Sequence, residues 1–151
     1  MEQKLLFLAN LLFCVTMLTA GCGNKSGEDL LQNIPVFSDL SPEEAVEVIQ
    51  QRAADTDFII LDVRTYQEFA AEHITDAINL DYYAPDFEES INDLDHNKIY
   101  LVYCGSGTRS RAAVSLMQQD GFVAVYNLAG GLAALKDVTD SQQVLVSCGC
   151  P

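Results

Sequence analysis

The sequence predicts an α/β domain with a mostly parallel central sheet and helices on both of its faces, and three observations support this. Short apolar runs alternate along the chain with stretches of helical periodicity, as expected for βαβ units. The run Ile99–Tyr103 is apolar on both faces, which is typical of the buried centre of a parallel sheet. Hydrophobic residues make up 49% of the 151-residue chain, which is enough for one buried core.

A helix is predicted near the start of the domain. Residues 41–44, Ser-Pro-Glu-Glu, have the pattern of a helix start, in which the serine caps the first turn and Glu44 completes a capping box. The helix is expected to end near Ala53. Its apolar face comprises Ala45, Val46, Val48 and Ile49.

A strand, a short helix and a second strand are predicted to follow. The continuous apolar run Phe58–Leu61 has the length of a strand. The segment Thr65–Glu72 is expected to form a short helix with Tyr66 and Phe69 facing the core. A short strand is predicted over Ala77–Leu80.

The second half of the domain repeats this alternation. After the central strand, a helix is predicted over Arg109–Asp120, and Gly121 is a natural stop for it. A further strand is predicted over Val123–Leu128, and the glycine pair at 130–131 opens a last short helix. The core-facing side of the long helix is expected to comprise Ala112, Ala113, Leu116 and Met117.

The N-terminal residues have the features of an export signal. Lys4 precedes the apolar run Leu5–Leu18, which has secretory length and is short for a bilayer span. Small residues then lead directly to Cys22, a pattern that resembles the lipobox of bacterial lipoproteins. The resemblance implies cleavage after residue 21 and lipidation of Cys22. Ordinary signal cleavage that leaves an unmodified cysteine, and an uncleaved anchor, are the alternatives.

These features divide the chain into four expected segments. Residues 1–21 form a lipoprotein signal peptide, 22–33 a polar tether, 34–140 the folded domain and 141–151 a tail that contains Cys-Gly-Cys. The mature protein is expected to be exported and lipid-anchored to a bacterial cell-envelope membrane, on the periplasmic or extracellular face.

Charge and cysteine spacing exclude several classes of partner. The net charge of −14 makes nucleic-acid binding unfavourable. The sequence has no Cys-x-x-Cys pair and no histidine-rich cluster, so neither a metal nor a cofactor is expected. The scattered thiols of Cys104, Cys148 and Cys150 favour reactivity at one of them over a disulfide framework.

The loop after the central strand is the strongest candidate for a reactive site. In parallel sheets, ligands bind beyond the carboxyl ends of the strands, and here the strand leads directly into Cys104 and a helix. Gly105 and Gly107 permit a tight turn whose N–H groups converge on the thiol, at a helix N-terminus that favours an anion. Arg109 adds a positive charge, and each effect lowers a thiol pKa. The alternative is a small core cysteine followed by an ordinary turn.

Three motifs in the same order resemble those of the rhodanese family. The segment from Cys104 to Arg109 resembles its active-site loop, which a cysteine opens and an arginine closes. Residues 61–69, Leu-Asp-Val-Arg-Thr-Tyr-Gln-Glu-Phe, and residues 73–74 are similar to its Asp-Val-Arg and His-Ile motifs. Residues 126–132, Tyr-Asn-Leu-Ala-Gly-Gly-Leu, are similar to its closing Gly-Gly motif, and the resemblance spans about residues 36–136.

The resemblance implies a rhodanese-like fold with a five-stranded sheet, and a sulfurtransferase that needs no cofactor. Cys104 is then the catalytic nucleophile, which takes sulfur from thiosulfate or a persulfide and passes it to a small-molecule or protein thiol. The substrate-binding loop would comprise Gly105, Ser106, Gly107, Thr108 and Arg109. This loop lacks the additional basic residues of family members that favour thiosulfate.

The second motif contributes candidate supporting residues. The resemblance implies that Asp62 and Arg64 brace the loop from the neighbouring strand end, and an ion pair with Glu68 is the alternative. His73 is interpreted as a structural histidine that satisfies a turn.

The sequence departs from the family pattern at three positions. Glu72 and Asp76 stand where glycine is common, and Leu135 or a neighbour stands where tryptophan is common. These positions belong to turns and the core, so they are expected to affect loop geometry more than chemistry.

Two other functions remain alternatives. A protein tyrosine phosphatase also pairs a loop cysteine with an arginine, but its loop has five residues between them and this one has four. A non-catalytic envelope redox or ligand-binding module could use the same scaffold. Cys148 and Cys150 could relay sulfur from Cys104, form a disulfide with a partner or bind a soft metal, or be incidental thiols in a frayed tail.

Overall fold

The computed structural model describes residues 37–138 and 144–147. Strands and helices alternate along this part of the chain. The strands are β1 (Phe37–Leu40), β2 (Phe58–Asp62), β3 (His73–Ile74), β4 (Ile78–Asn79), β5 (Ile99–Tyr103), β6 (Ala124–Leu128) and β7 (Leu145–Val146). The helices are α1 (Pro42–Gln51), α2 (Tyr66–Ala71), α3 (Phe87–Asn92), α4 (Thr108–Gln119) and α5 (Gly131–Val138).

The main sheet has five strands in the order β1-β6-β5-β2-β4, and each neighbouring pair is parallel. The central strand β5 places Ile99 opposite Phe58 of β2 and opposite Ala124 of β6. Because parallel strands end at the same edge, the residues that follow β2, β5 and β6 lie together there. The predicted α/β fold with a mostly parallel five-stranded sheet is confirmed.

Helices cover both faces of this sheet, as the sequence predicts. On one face, α1 and α5 bury Val48 and Leu135 against strand residues such as Leu101. On the other face, α3 and α4 bury Ile91 and Met117. Full burial of each such side chain contributes roughly 1.5–3 kcal/mol, so these two layers supply most of the driving force for folding.

The helix starts are set by local hydrogen bonds. At α1, the Glu44 amide donates to the Ser41 side chain at 3.2 Å and the Ser41 amide donates to the Glu44 carboxylate at 2.8 Å, which is the predicted capping box. The helix ends at Gln51, two residues before the expected end. A second capping box, between Thr65 and Glu68, starts α2 and is absent from the sequence prediction.

Two side chains predicted to face the core are exposed. Tyr66 is 70% exposed because it is the first residue of the six-residue helix α2 and points to solvent from its first turn. Ala112 is also exposed, because the buried stripe of α4 runs through Ser110, Ala113 and Met117, at the spacing of one helix face.

The departures from the family pattern have structural consequences. Asp76 has a φ of 62° in the turn between β3 and β4, a left-handed conformation that glycine adopts more readily. Leu135 is fully buried and fills the core position expected for a larger residue. Glu72 ends α2 in extended conformation and forms an ion pair with Lys136.

A small second sheet lies outside the sequence prediction. β3 and β7 pair antiparallel, with His73 opposite Val146 and Ile74 opposite Leu145. Each strand has two residues, which is too short to give a periodic signal in the sequence.

The predicted signal peptide, the tether and most of the tail lie outside the described residues, and so do Cys22, Cys148 and Cys150. Within residues 37–138 and 144–147, no helix is long and apolar enough to cross a membrane.

Candidate active site

Cys104 follows β5 directly and lies at the carboxyl edge of the main sheet. Its side chain is fully buried, and it is the free cysteine of the described part of the chain. Residues 105–107 form a short turn, and α4 begins at Thr108. The strand and the helix are anchored in the core on both sides, so the thiol is held in a fixed position between them.

Gly107 gives the turn its curvature. It has a φ of 87°, in the left-handed region that favours glycine, and it caps the N-terminus of α4. A Cβ atom at this position would lie 3.1 Å from the amide nitrogen of Gly130. The turn therefore needs glycine for both its conformation and its close contact with the loop before α5.

The glycine pair at 130–131, where α5 begins, packs against the backbone of the loop that follows Cys104. A Cβ atom at Gly131 would lie 2.4 Å from the carbonyl oxygen of Cys104, so the two backbones approach as closely as glycine allows. The Leu132 amide donates to that carbonyl at 2.8 Å, and the Ala133 amide donates to the Gly105 carbonyl at 3.1 Å. The first turn of α5 is thus a clamp on the backbone of the loop.

Several donors face the sulfur of Cys104. The Gly107 amide donates to Sγ at 3.1 Å, and the Ser110 hydroxyl lies 3.6 Å from Sγ. Burial raises the pKa of the thiol, but hydrogen bonds from the Ser110 amide and hydroxyl and from the Ser106 and Gly107 amides outweigh it. The pKa of Cys104 is therefore lowered, and the thiolate is favoured at the N-terminus of a 12-residue helix.

A hydrogen-bonded chain continues from Ser110 to the surface. The Ser110 hydroxyl donates to Oδ1 of Asn127 at 2.6 Å, and Nδ2 of Asn127 donates to Oδ1 of Asp39 at 2.7 Å. A hydroxyl has one hydrogen, so Ser110 can donate either to Asn127 or to the sulfur, but not to both. Ser110 can therefore respond to the charge on Cys104.

Arg109 is bound to Glu68, the carboxylate that the sequence analysis named only as an alternative partner of Arg64. Its guanidinium donates to both oxygens of Glu68, at 2.8 and 2.9 Å, and lies 5.6 Å from the ring centre of Tyr83. The Thr65 amide and hydroxyl donate to the same carboxylate, at 3.0 and 2.9 Å. These contacts, the hydrogen bond from Arg109 above all, lower the pKa of Glu68 to about 2.

Asp62 and Arg64 bind each other, so the alternative of an ion pair with Glu68 is wrong. Arg64 donates to Oδ2 of Asp62 at 2.6 Å and to the Glu72 carbonyl at 2.6 Å, and both side chains of the pair are buried. Asn79 donates to the carbonyls of Asp62 and Arg64. The pair therefore joins β2 to the end of α2 and to β4, whereas Glu68 is the carboxylate that contacts the loop arginine.

Ser110 and Asn127 are site residues that the sequence analysis missed, and it did not predict the contact of Glu68 with Arg109. Ser110 is a polar residue on the buried stripe of α4, and Asn127 is a polar residue within a buried strand. Both are recognisable signals, because a buried polar side chain needs a partner. Glu68 gave no such signal, since a carboxylate on a short helix is usually solvated.

His73 has the structural role expected from the sequence. Its Nδ1 lies 2.9 Å from the Phe69 carbonyl, and its ring stacks on Phe69 with centroids 3.9 Å apart. In the described part of the chain, no group of three or more His, Cys, Asp or Glu side chains is arranged to hold a metal ion.

Two of the cavities lined by described residues lie near the sheet, and Cys104 lines neither of them. The larger, about 320 Å³, lies between α3 and α4 and is lined by Tyr82, Ala84, Pro85, Phe87, Glu88, Ala112 and Leu116. The other, about 200 Å³, lies near the end of α1 and includes Arg52 and Val144. The donors around the thiol, and neither of these cavities, indicate the chemistry of the site.

Comparison with known proteins agrees with this geometry. The family model described as Rhodanese-like domain matches residues 41–137. The chain is 36% identical over 89 residues to a sulfurtransferase of Allochromatium vinosum, covering 58% of this chain and 81% of that protein. It is 32% identical over 101 residues to the thiosulfate sulfurtransferase GlpE of Coxiella burnetii, covering 67% and 89%. A solved rhodanese-related protein of Thermoplasma volcanium has a TM-score of 0.55 at 25% identity, covering 66% of this chain and 91% of that one.

Proposed function

The chain belongs to the rhodanese-like domain family, and on that basis we propose that it is a sulfurtransferase whose Cys104 carries the transferred sulfur as a persulfide. One observation carries the proposal: a fully buried thiol accepts a hydrogen bond from the Gly107 amide and faces further donors at Ser106 and Ser110. These groups stabilise a negative charge on sulfur, in the resting thiolate and on the outer sulfur of a persulfide.

The reaction has two half-steps. The Cys104 thiolate attacks the outer sulfur of a donor, the bond between that sulfur and the rest of the donor breaks, and the remaining fragment leaves with the electron pair. An acceptor thiolate then attacks the outer sulfur on Cys104, and the Cys104 thiolate is released. No oxidant is needed, because the sulfur passes between nucleophiles at each step.

The length of the loop favours sulfur over phosphate. Four residues separate Cys104 from Arg109, one fewer than in tyrosine phosphatases. Arg109 is also held by Glu68, which leaves its guanidinium unavailable to clamp a tetrahedral dianion. Both features support transfer of a single sulfur atom.

The test is the mass of the mature protein before and after incubation with a sulfur donor. We expect a gain of one sulfur atom in the wild type and loss of that gain in Cys104→Ser, which retains Cys22, Cys148 and Cys150 as internal controls. Cys104→Ser that gains sulfur like the wild type would disprove the assignment. A wild type that accepts sulfur from no donor would leave the non-catalytic binding module as the function.

We also propose that the mature protein is exported and anchored to a cell-envelope membrane through a lipid on Cys22, as the lipobox-like sequence supports. The same mass measurement tests this when the protein is made in a lipidating host. The expected mass is that of residues 22–151 with acyl chains, and an unmodified Cys22 would contradict it. The roles of Cys148 and Cys150 stay predictions.

A further inference from the structure

The cations of the described chain are all engaged by partners. Four arginines and two lysines lie within residues 37–138 and 144–147. Their partners are Asp55 for Arg52, Asp62 for Arg64, Glu68 for Arg109, Asp39 for Arg111, Glu72 for Lys136 and the Thr56 carbonyl for Lys98. Five of the six are therefore paired with a carboxylate, and the sixth, Lys98, precedes β5 at the edge of the sheet opposite Cys104. A small anion that approaches the carboxyl edge of the sheet meets no unpaired arginine or lysine of the described residues there.

The arginine beside the thiol of Cys104 is neutralised as well. Arg109 donates to both oxygens of Glu68, and the Thr65 amide and hydroxyl fix that carboxylate in place. A Cβ atom at Gly105 would lie 3.5 Å from the Arg109 guanidinium and 3.8 Å from the Glu68 carboxylate, so the ion pair lies against the loop. The positive charge that closes the loop thus comes with an equal negative charge in contact with it.

The rest of the loop adds no charge. Gly105, Ser106, Gly107 and Thr108 are neutral, and the whole chain has a net charge of −14. The amides around Cys104 can stabilise one charged sulfur atom, but they offer nothing to a second anionic group on the donor. A dianion such as thiosulfate would lose the hydration of its sulfonate oxygens at this site without gaining a cation.

From these charges we infer that the sulfur donor is the persulfide of a thiol and that thiosulfate is a poor donor for this protein. The inference rests on the proposed function. A thiol persulfide carries its charge on the sulfur that is transferred, which is where the loop amides are directed. The name of the Coxiella burnetii relative specifies thiosulfate for that protein, and we expect this chain to differ from it in donor.

The loading step balances with either donor. With a thiol persulfide whose outer sulfur is ionised, the Cys104 thiolate takes that sulfur, the S–S bond of the donor breaks, and the inner sulfur of the donor leaves with the electron pair as a thiolate. With thiosulfate, the S–S bond breaks and sulfite leaves with the electron pair. The product on Cys104 is the same anionic persulfide, so one mass measurement follows both reactions.

The experiment measures the rate of sulfur uptake at Cys104 from cysteine persulfide and from thiosulfate, by intact mass and peptide mapping of the mature protein. The two donors differ in intrinsic reactivity, so the decisive quantity is the change in their rate ratio between variants. Ser106 is exposed, so Ser106→Lys adds a cation beside the thiol without disturbing the core. Glu68→Gln removes the charge that compensates Arg109.

Both variants are expected to shift the ratio toward thiosulfate by about tenfold, and the shift should shrink at high salt. Gln118→Lys and Glu47→Gln are matched controls, with the same changes in net charge at exposed positions outside the loop. Gln118 lies about 15 Å along α4 from its first residue. The controls are expected to change the ratio less than about twofold.

Three results would overturn the inference. Ser106→Lys and Glu68→Gln could both leave the ratio as in the wild type, the distant controls could shift it as much, or the wild type could load thiosulfate at least as fast as cysteine persulfide. In each case Cys104 still gains sulfur, and the proposed function stands. If neither donor loads Cys104, the proposed function fails and the donor inference fails with it.

Discussion

Two arginine–carboxylate pairs with nearly the same geometry lie at the carboxyl edge of the sheet, in very different surroundings. The Arg64–Asp62 pair has a 2.6 Å contact and side chains that are 7% and 0% exposed. The Arg109–Glu68 pair has a 2.8 Å contact and side chains that are 18% and 38% exposed. The first pair joins backbone segments, and the second lies against the loop of Cys104.

The comparison shows that surroundings, not contact distance, decide what an ion pair does. A buried pair loses the hydration of both charges, so either partner left alone is very unfavourable. A partly exposed pair is screened by water and contributes less to stability, but it sets the charge that a substrate meets. We therefore assign Arg64 and Asp62 to folding, and Arg109 and Glu68 to the electrostatics of the site.

The largest expected effect is on the buried pair. Asp62→Asn leaves the Arg64 guanidinium buried without its carboxylate, and we expect the free energy of unfolding to fall by about 3 kcal/mol in urea denaturation. The donor ratio of the folded protein should stay as in the wild type. The control is Asp55→Asn, which breaks the more exposed pair with Arg52 and should cost much less. An equal fall in the free energy of unfolding in Asp62→Asn and Asp55→Asn would contradict the distinction between a buried and an exposed pair.

A smaller effect is expected at Ser110, which acts on the thiol without a formal charge. Ser110→Ala removes a hydroxyl donor, so the pKa of Cys104 should rise, and sulfur uptake at neutral pH should slow several-fold because less of the thiol is ionised. The measurement is uptake rate against pH, where the profile should move to higher pH. Ser115→Ala, which removes a hydroxyl bonded to the Arg111 carbonyl on the exposed side of α4, is the control. An unmoved profile in Ser110→Ala would exclude this role.

The smallest effect concerns the pH dependence of the exposed pair. The pKa of Glu68 is lowered to about 2 in the folded protein, from an ordinary 4.5, chiefly by Arg109. The ionised Glu68 carboxylate therefore stabilises the folded protein fully above pH 4.5, and this contribution is lost as the pH falls toward 2. After allowance for solvent exposure, we expect the wild type to exceed Glu68→Gln by about 1 kcal/mol in unfolding free energy at pH 7. A difference that is constant from pH 7 to 2.5 would contradict this.

Much of the fold follows from local sequence. The apolar run Ile99–Tyr103 predicted the central strand with its bounds, and Ser41 with Glu44 predicted the start of α1. Tyr66 was misplaced because an aromatic residue on a six-residue helix gives too little periodicity to define a face. The pairing of β3 with β7 was not predictable, since strands of two residues are defined only by their partner.

In the candidate site too, residues that are adjacent in the sequence were predictable, and contacts between distant segments were not. Cys104, its glycine turn and Arg109 are adjacent in the sequence, so their type and spacing were sufficient to nominate them. The Gly131 clamp lies 27 residues after Cys104 in the chain, and its contact was visible only through resemblance to a family motif. The partner of Arg109 was not predicted, because Glu68 lies 41 residues away and sequence proximity suggested it only as an alternative partner of Arg64.

The sequence by itself determined most of the order of the elements, and it placed Cys104 between a strand and the N-terminus of a helix, because capping, periodicity and turn chemistry act over a few residues. Only the tertiary structure decided which carboxylate neutralises each arginine and which hydroxyl reaches the sulfur. Those choices depend on distances between distant segments and on how much water is left around each charge. Neither quantity is encoded in local spacing.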